Sequence, residues 1–535
     1  MNQRAANPAA GVMTAVPFDL KSAMDGTAWR ADLRWPVAYP SLREKQLSTL
    51  SSILNLIAEI SDPEVRRLAL LVQGALGSLV RTIGELALLA EAGAGENVRF
   101  VGATPEFEYL CGNIPPAELK PAVPARKKDQ NINLAWARQL ARAASWTKSP
   151  LRIARAMIAP DHVAVSHNAL MRDVASRSAE AVGFRHAEHI LLDGRRLALP
   201  QDNKDLVRDV VERYEPLLGH TYDVAPATLE RMVAIYRKSA PIIVERAARD
   251  LDGLSRLSNL PRSLWAGSAG PYAVRAIAIE VRRRGGTTTG FDHGGSLSMI
   301  DDPAQVVLRE LSVNDRYILP TVGCVEAITR SGALAANRPF GETRLVAADG
   351  DPTFRVPTRS AGNGARRKPR IYYMASIFRG LRQHVPTYLP DPVYLDWQLR
   401  LIESVRGLKV ELISKPHPEG LLKGARHPLE DAGPVEYRRF EEIRDDADGF
   451  LYDLPQSTTF WEAVCTDRPI TLIDFGVTRF NATVEPLIQR RCRVVKVRWD
   501  VRNLPMIDAD ELADALLCKQ LADPSEFRKL LTAGA

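Results

Sequence analysis

The 535-residue chain has five cysteines, Cys111, Cys324, Cys465, Cys492 and Cys518, and no two of them form a CxxC pair. That scarcity argues against a disulfide framework and a cysteine-rich zinc site, and it predicts a reducing compartment. Long apolar runs are missing too. Leu68–Val80 comes nearest, but Gln73 interrupts it and arginines flank it, so it falls short of the roughly 18 residues a membrane-spanning helix needs. Met1–Pro17 has one arginine and no continuous apolar core, so no secretory signal is expected. These absences predict a cytoplasmic protein and leave contact with the inner face of the membrane open. The sequence also lacks GxSxG, HExxH, GxGxxG, an EF-hand loop and the GxxxxGKS/T phosphate loop, which argues against the chemistries those motifs carry. Charge of one sign is scarce as well: 71 basic against 64 acidic residues leave a formal charge of +7. So mild a bias suits an anionic substrate, a membrane surface or nucleic acid, and selects none of them.

What is present is a long chain of ordinary globular composition, 45% hydrophobic and 25% charged. It is too long for one core and implies two or three domains. Residues 1–40 read as irregular. Between Ser41 and Ala94, apolar residues recur at helical spacing on both sides of Ser61-Asp62-Pro63-Glu64, an N-cap followed by a first-turn proline. This predicts a helical hairpin suited to partner docking or oligomerisation, within an N-terminal helical region covering 1–145. The basic run Arg126–Lys128 reads as solvated surface, and a helix is expected near Leu134–Ala144.

From residue 146 short apolar runs alternate with helical stretches, the α/β signature. Strands are expected at His162–Val165, Ser263–Ala266, Thr287–Phe291 and Arg316–Pro320, with a short extended piece at Ile190–Leu192. A Gly-, Pro- and Ser-rich stretch, 348–369, reads as a linker between this unit (146–347) and a second one (370–508). The second unit has predicted strands at Arg370–Ala375, Val410–Ser414, Gly449–Tyr452, Ile470–Asp474 and Val494–Val497, and a helical tail (509–535) follows. The predicted fold class is α/β, with two Rossmann-like domains facing a cleft.

Candidate chemistry concentrates at predicted strand ends. In Lys415-Pro416-His417-Pro418 the prolines stiffen the backbone and hold His417 extended beside a lysine, an arrangement suited to a phosphate. Ser457-Thr458-Thr459 opens a predicted helix, where hydroxyls and unpaired N–H groups suit an anion, and Glu462 follows one turn on. A plain Ser cap with Glu462 as its capping-box partner is the alternative. In the first unit, Gly267-Ser268-Ala269-Gly270 is a strand-to-helix turn that allows close backbone approach, and Asp292-His293-Gly294-Gly295 ends a strand with an accessible histidine and a neighbouring acid. Glu280 is a reserve base. Four DxD triplets occur, including Asp349-Gly350-Asp351, but none follows a predicted strand, so no metal is expected.

Two Rossmann-like halves, an HG loop in the first and a KPHP loop with a Ser/Thr turn in the second, resemble the GT-B glycosyltransferases of bacterial surface polysaccharides. The nearest in pattern are capsule Kdo transferases, bacterial polysialyltransferases and teichoic-acid glycerophosphotransferases. The resemblance covers roughly residues 260–500. It implies that His417, Ser457 and Thr458, with Lys415 and Thr459 nearby, hold a pyrimidine nucleotide and its phosphate, and that His293 serves as base with Asp292 beside it. Ser457–Glu462 is also similar to the Ser-Gly-Gly-x-x-Glu segment of UDP-N-acetylglucosamine 2-epimerases, which implies a ribose contact for Glu462. The implied activity is transfer of a sugar, such as Kdo or a nonulosonic acid, from a CMP- or CDP-type donor to a glycan or protein acceptor, with no cofactor beyond the nucleotide-sugar substrate. The chain departs from those patterns in having Thr458-Thr459 where the epimerases have two glycines, and in lacking the Asp-Glu-Gly motif of the polysialyltransferases. Nucleic acid is not an expected partner, since the basic runs lack interleaved aromatics. A 2-epimerase-like enzyme on the same fold and a non-enzymatic scaffold are the competing readings.

Overall fold

The computed structural model describes residues 14–96, 98–121, 146–147, 149–199, 203–356, 368–380, 389–518 and 523–533. The Arg126–Lys128 run, the helix expected near Leu134–Ala144 and residues 357–367 of the expected linker lie outside the described residues.

The region read as irregular begins with strand β1 (Thr14–Pro17), which pairs in parallel with β2 (Val98–Val101). Between them stand helices α1 (Tyr39–Glu59) and α2 (Pro63–Gly95). The Asp62 carboxylate accepts from the Glu64 and Val65 N–H groups at 2.8 and 3.0 Å, which fixes where α2 begins. The apolar stripe that suggested docking is covered by the chain itself, because Leu68, Val72, Leu76, Val80 and Ile83 lie in the main core.

The first sheet contains β3 (His162–Ala164), β4 (Val182–Phe184), β5 (Ser263–Ala266), β6 (Thr287–Phe291), β7 (Arg316–Leu319) and β8 (Arg344–Ala347), in the order β4-β3-β5-β6-β7-β8 and parallel throughout. The second contains β9 (Arg370–Met374), β10 (Glu411–Lys415), β11 (Gly449–Tyr452), β12 (Ile470–Asp474) and β13 (Arg493–Lys496), in the order β10-β9-β11-β12-β13, again parallel. The molecule is thus α/β with two parallel sheets, compatible with two Rossmann-like domains. Among the described residues no helix is long and apolar enough to cross a membrane.

One expected strand is a helix. Ile190–Leu192 falls inside α3 (Ala187–Leu197), where Ala187, Ile190, Leu191 and Gly194 are buried. Their i, i+3, i+4, i+7 spacing outweighs the three-residue apolar run. This face packs on α4 (Pro226–Ser255), and Gly194 meets Gly253 so closely that a Cβ on the latter would stand 2.3 Å from the Gly194 carbonyl oxygen. Neither edge strand of the first sheet, β4 or β8, has a predicted counterpart.

The last helix, α5 (Ser525–Thr532), returns to the first domain. Thr321 donates its hydroxyl to the Leu530 carbonyl at 2.5 Å, and the Asp351 N–H donates to Leu531 at 2.9 Å.

Candidate functional site

Both sheets share one topological feature. Each order runs second, first, third strand, so the loops leaving the first and third strands turn to opposite faces and open a crevice at the carboxyl edge. In the first sheet these loops are Ser166–Asn168, after β3, and Gly267–Gly270, after β5. In the second they are Ala375–Gly380, after β9, and Asp453–Ser457, after β11.

In the first crevice, Asn168 ties three loops together. Its Nδ2 donates to the carbonyls of Gly267 and Asp292, each at 2.8 Å, and of Phe291 at 3.3 Å, while its Oδ1 caps the following helix through Met171 N–H. Asn168 therefore sets the position of the Asp292–Gly295 loop. His293 is exposed at the tip of that loop. Asp292 lies behind it, fully buried, with Oδ1 accepting from the Tyr317 hydroxyl at 3.3 Å and Oδ2 without a partner. Burial pushes the Asp292 carboxyl up to about 7, helped by the carboxyls of Asp351 and Glu310.

The glycine turn has a different environment from the one its sequence suggests. Ala269 N–H and the Ser268 hydroxyl both donate to the buried carboxylate of Glu310, each at 2.8 Å, and Gly270 N–H turns back to Ser268 Oγ at 3.2 Å. An internal carboxylate thus occupies the donors a phosphate would use. Gly267 serves close packing, since a Cβ there would stand 2.7 Å from the His167 backbone. Glu280 stands near the end of the helix Tyr272–Arg283, which leads to the opposite, amino edge of the sheet. Arg283 and Arg284 hold its carboxylate at 2.7 and 2.8 Å. Those hydrogen-bonded guanidiniums lower its pKa against the opposing effect of burial. Locked in this way, Glu280 belongs to the scaffold.

In the second domain, Ser457 caps the helix Thr458–Val464. Ser457 Oγ accepts from Phe460 N–H at 3.2 Å and lies 3.0 Å from Thr459 Oγ1. Glu462 is too far from the cap to close a capping box. It is 2% exposed and paired with Arg444, and burial raises its carboxyl to about 7. Lys415 is also buried, and its ammonium donates to the Arg438 carbonyl; burial lowers its pKa. His417 stands exposed at the rim, with Nδ1 accepting from Glu419 N–H at 3.1 Å. A neutral ring accepting at Nδ1 must carry its proton on Nε2, which leaves Nε2–H as a donor. Surrounding protein lowers the His417 pKa, and the charges of Arg379 and Lys415 act in the same direction. Deepest in this crevice is Asp453, fully buried, which accepts from the hydroxyls of Tyr373 at 2.5 Å and Tyr394 at 2.8 Å.

The two crevices meet. Gly294 has φ +74°, and a Cβ there would stand 2.3 Å from Thr458 Oγ1, so the HG loop of one sheet lies directly against the Ser/Thr turn of the other. Below this contact the domains are zipped by backbone. Asp301 N–H donates to Arg479 at 2.9 Å and Asn481 N–H to Met299 at 3.0 Å, while Asn481 Nδ2 reaches the Ser298 carbonyl at 2.6 Å. Asp351 is 3% exposed, and its charge acts on both Asp292 and Glu462. The Asp349–Asp351 triplet does follow a strand, β8, contrary to its reading as linker. Asp349 is nevertheless held by Arg177 at 2.5 Å, and Asp351 caps a turn through Thr353 N–H at 2.8 Å. Among the described residues no cluster of three or more His, Cys, Asp or Glu is arranged to hold a metal.

A cavity of about 470 Å³ opens in the same cleft, walled by α1, by residues 300–304 and by Gln456 and Val477–Arg479. A second, of about 530 Å³, lies at the opposite edge of the first sheet beside Asp161, Arg185 and Ser263.

Fold and cleft together define an α/β protein with two parallel sheets whose carboxyl-edge loops meet at Gly294 and Thr458. No family model, no curated protein and no solved structure matches the chain. Sequence reasoning missed Asn168, Asp351, Arg379 and Asp453. Asp453 alone carried a local signal, as an acid directly after a buried strand.

Proposed function

We propose that the protein is a GT-B-type glycosyltransferase that moves a sugar from a CMP- or CDP-type donor to a glycan or protein acceptor without a metal. The observation that carries this reading is the contact between the Asp292–Gly295 loop and Thr458, which joins the carboxyl edges of two parallel sheets in one cleft. The donor nucleotide lies on the second domain, with His417 Nε2–H and the Ser457–Thr459 hydroxyls as donors to it. The cations near that rim, Arg379 and Lys415, stabilise the departing nucleotide electrostatically. His293 faces the cleft from the other side and takes the proton from the acceptor hydroxyl as it attacks the anomeric carbon. The buried Asp292 carboxylate, once ionised, supports the imidazolium that forms.

A thermal-shift panel of CMP, CDP, UMP, UDP and GDP tests the donor site. Stabilisation by a cytidine nucleotide, lost in His417→Ala, is the expected outcome. No shift with any of the five, or an undiminished shift in the variant, contradicts it. Two buried carboxyls near neutrality, Asp292 and Glu462, favour a second reading, epimerisation of a UDP-sugar by proton abstraction. Turnover of a UDP-sugar without any acceptor would select that reading.

A further inference from the structure

The 470 Å³ cavity has features that the nucleotide site does not use. Its lining loops leave the carboxyl edges of both sheets, and its third wall is α1, from the N-terminal region. Arg43 on that wall is only 6% exposed, and its Nη1 has no partner. Across from α1, Asp302 uses Oδ1 to cap a helix through Gln305 N–H at 3.0 Å, and its buried Oδ2 has no partner. Burial raises the Asp302 pKa, and the Arg43 charge partly offsets this, so the two groups sense one another without forming an ion pair. Gln456 links the cavity to the Ser457 turn, and Leu54 and Val477 give it apolar surface. Arg479 at the rim is paired with Glu44 of α1 at 2.7 Å.

A buried guanidinium and a buried carboxylate with unused hydrogen-bonding atoms are costly unless a partner is supplied. The guanidinium fork matches a carboxylate, and an ionised carboxylate only accepts, which suits hydroxyl donors. Asp301 and Asp302 balance Arg43 and Arg479 in the lining, so a dianionic phosphate gains little there and a monoanion is favoured. Apolar side chains suit the C–H face of a sugar ring.

We propose that this cavity is a binding subsite for a small polyhydroxylated carboxylate, with its carboxylate on Arg43 and its hydroxyls on Asp302. The N-terminal helical region thereby becomes part of the ligand site. The inference rests on the transferase reading only in taking the occupant for the transferred group or its acceptor; binding itself needs no turnover.

Saturation-transfer NMR on the full chain tests it, with millimolar D-glucuronate as probe, D-glucose as the neutral comparator and CMP as a separate control. Glucuronate should receive saturation, and glucose about tenfold less, the loss expected for one charge-assisted contact. Arg43→Gln should reduce the glucuronate signal by a similar factor. Because Arg43 is buried, Ser51→Trp at the exposed rim provides a second variant: it should block glucuronate while leaving the melting temperature unchanged. CMP binding should survive in both. Equal signals from glucuronate and glucose, or glucuronate binding that persists in both variants, overturns the subsite even if CMP binds. Glucuronate binding that is lost in the variants, in a protein that never binds CMP, supports the subsite and removes the nucleotide reading instead.

Discussion

At the scale of residues, the site combines an exposed group with a buried one behind it. His293 can reach a substrate, whereas Asp292 cannot, so their roles separate by position. With Asp292 at about 7, activity should rise as pH increases through neutrality, since the ionised carboxylate favours the imidazolium. His293→Ala should lower kcat by about 10²–10⁴-fold, the usual contribution of a general base. Asp292→Asn should lower the rate and change the shape of the pH–rate profile around 7 while leaving nucleotide binding intact. A profile unchanged in Asp292→Asn would assign the titration near 7 to another group. His417, Ser457 and His293 were legible because prolines, hydroxyls and glycines mark strand ends locally. Asn168 and Asp351 were not, since an amide that ties three loops and an acid that acts on two domains gain those roles only when distant segments converge.

At the scale of elements, the strands most visible in the sequence are those buried on both faces. Ser263–Ala266, Thr287–Phe291, Gly449–Tyr452 and Ile470–Asp474 are compact apolar or β-branched runs, and the structure forms each over those same residues. The strand β8 escaped because Arg344–Ala347 is an edge strand, partly exposed along its length. That omission also misplaced the Asp349–Asp351 triplet. The link between domains is likewise tertiary, and Asn481 concentrates it. Its side chain donates to Ser298 and accepts from the Thr483 and Val484 N–H groups at 3.1 and 3.0 Å. Asn481→Ala should cost about 2 kcal/mol, a cap plus a buried hydrogen bond, in urea unfolding. A change below about 0.5 kcal/mol would mean that the backbone bonds alone hold the junction.

At the scale of the whole molecule, buried carboxyls set the response to pH. Glu85 is raised to about 8, Asp292 and Glu462 to about 7 and Asp391 to about 6, in each case chiefly by burial. The folded chain then keeps protons that the unfolded chain has already released. Their contribution is full below the unfolded carboxylate range and is lost as pH rises through about 6 to 8. The melting temperature should therefore fall between mildly acidic and mildly alkaline buffer, and Glu85→Gln should flatten the decline. A melting temperature that rises over that interval would show these groups ionised at no cost in the fold.

The proposed nucleotide site spans the carboxyl edges of both sheets in one cleft, and hydrogen–deuterium exchange with and without CMP reads it segment by segment. CMP should slow exchange in two separate stretches, 292–296 of the first domain and 416–420 with 453–459 of the second. Protection confined to the opposite edge, around 156–163 and 259–263, or no protection at all, would contradict it.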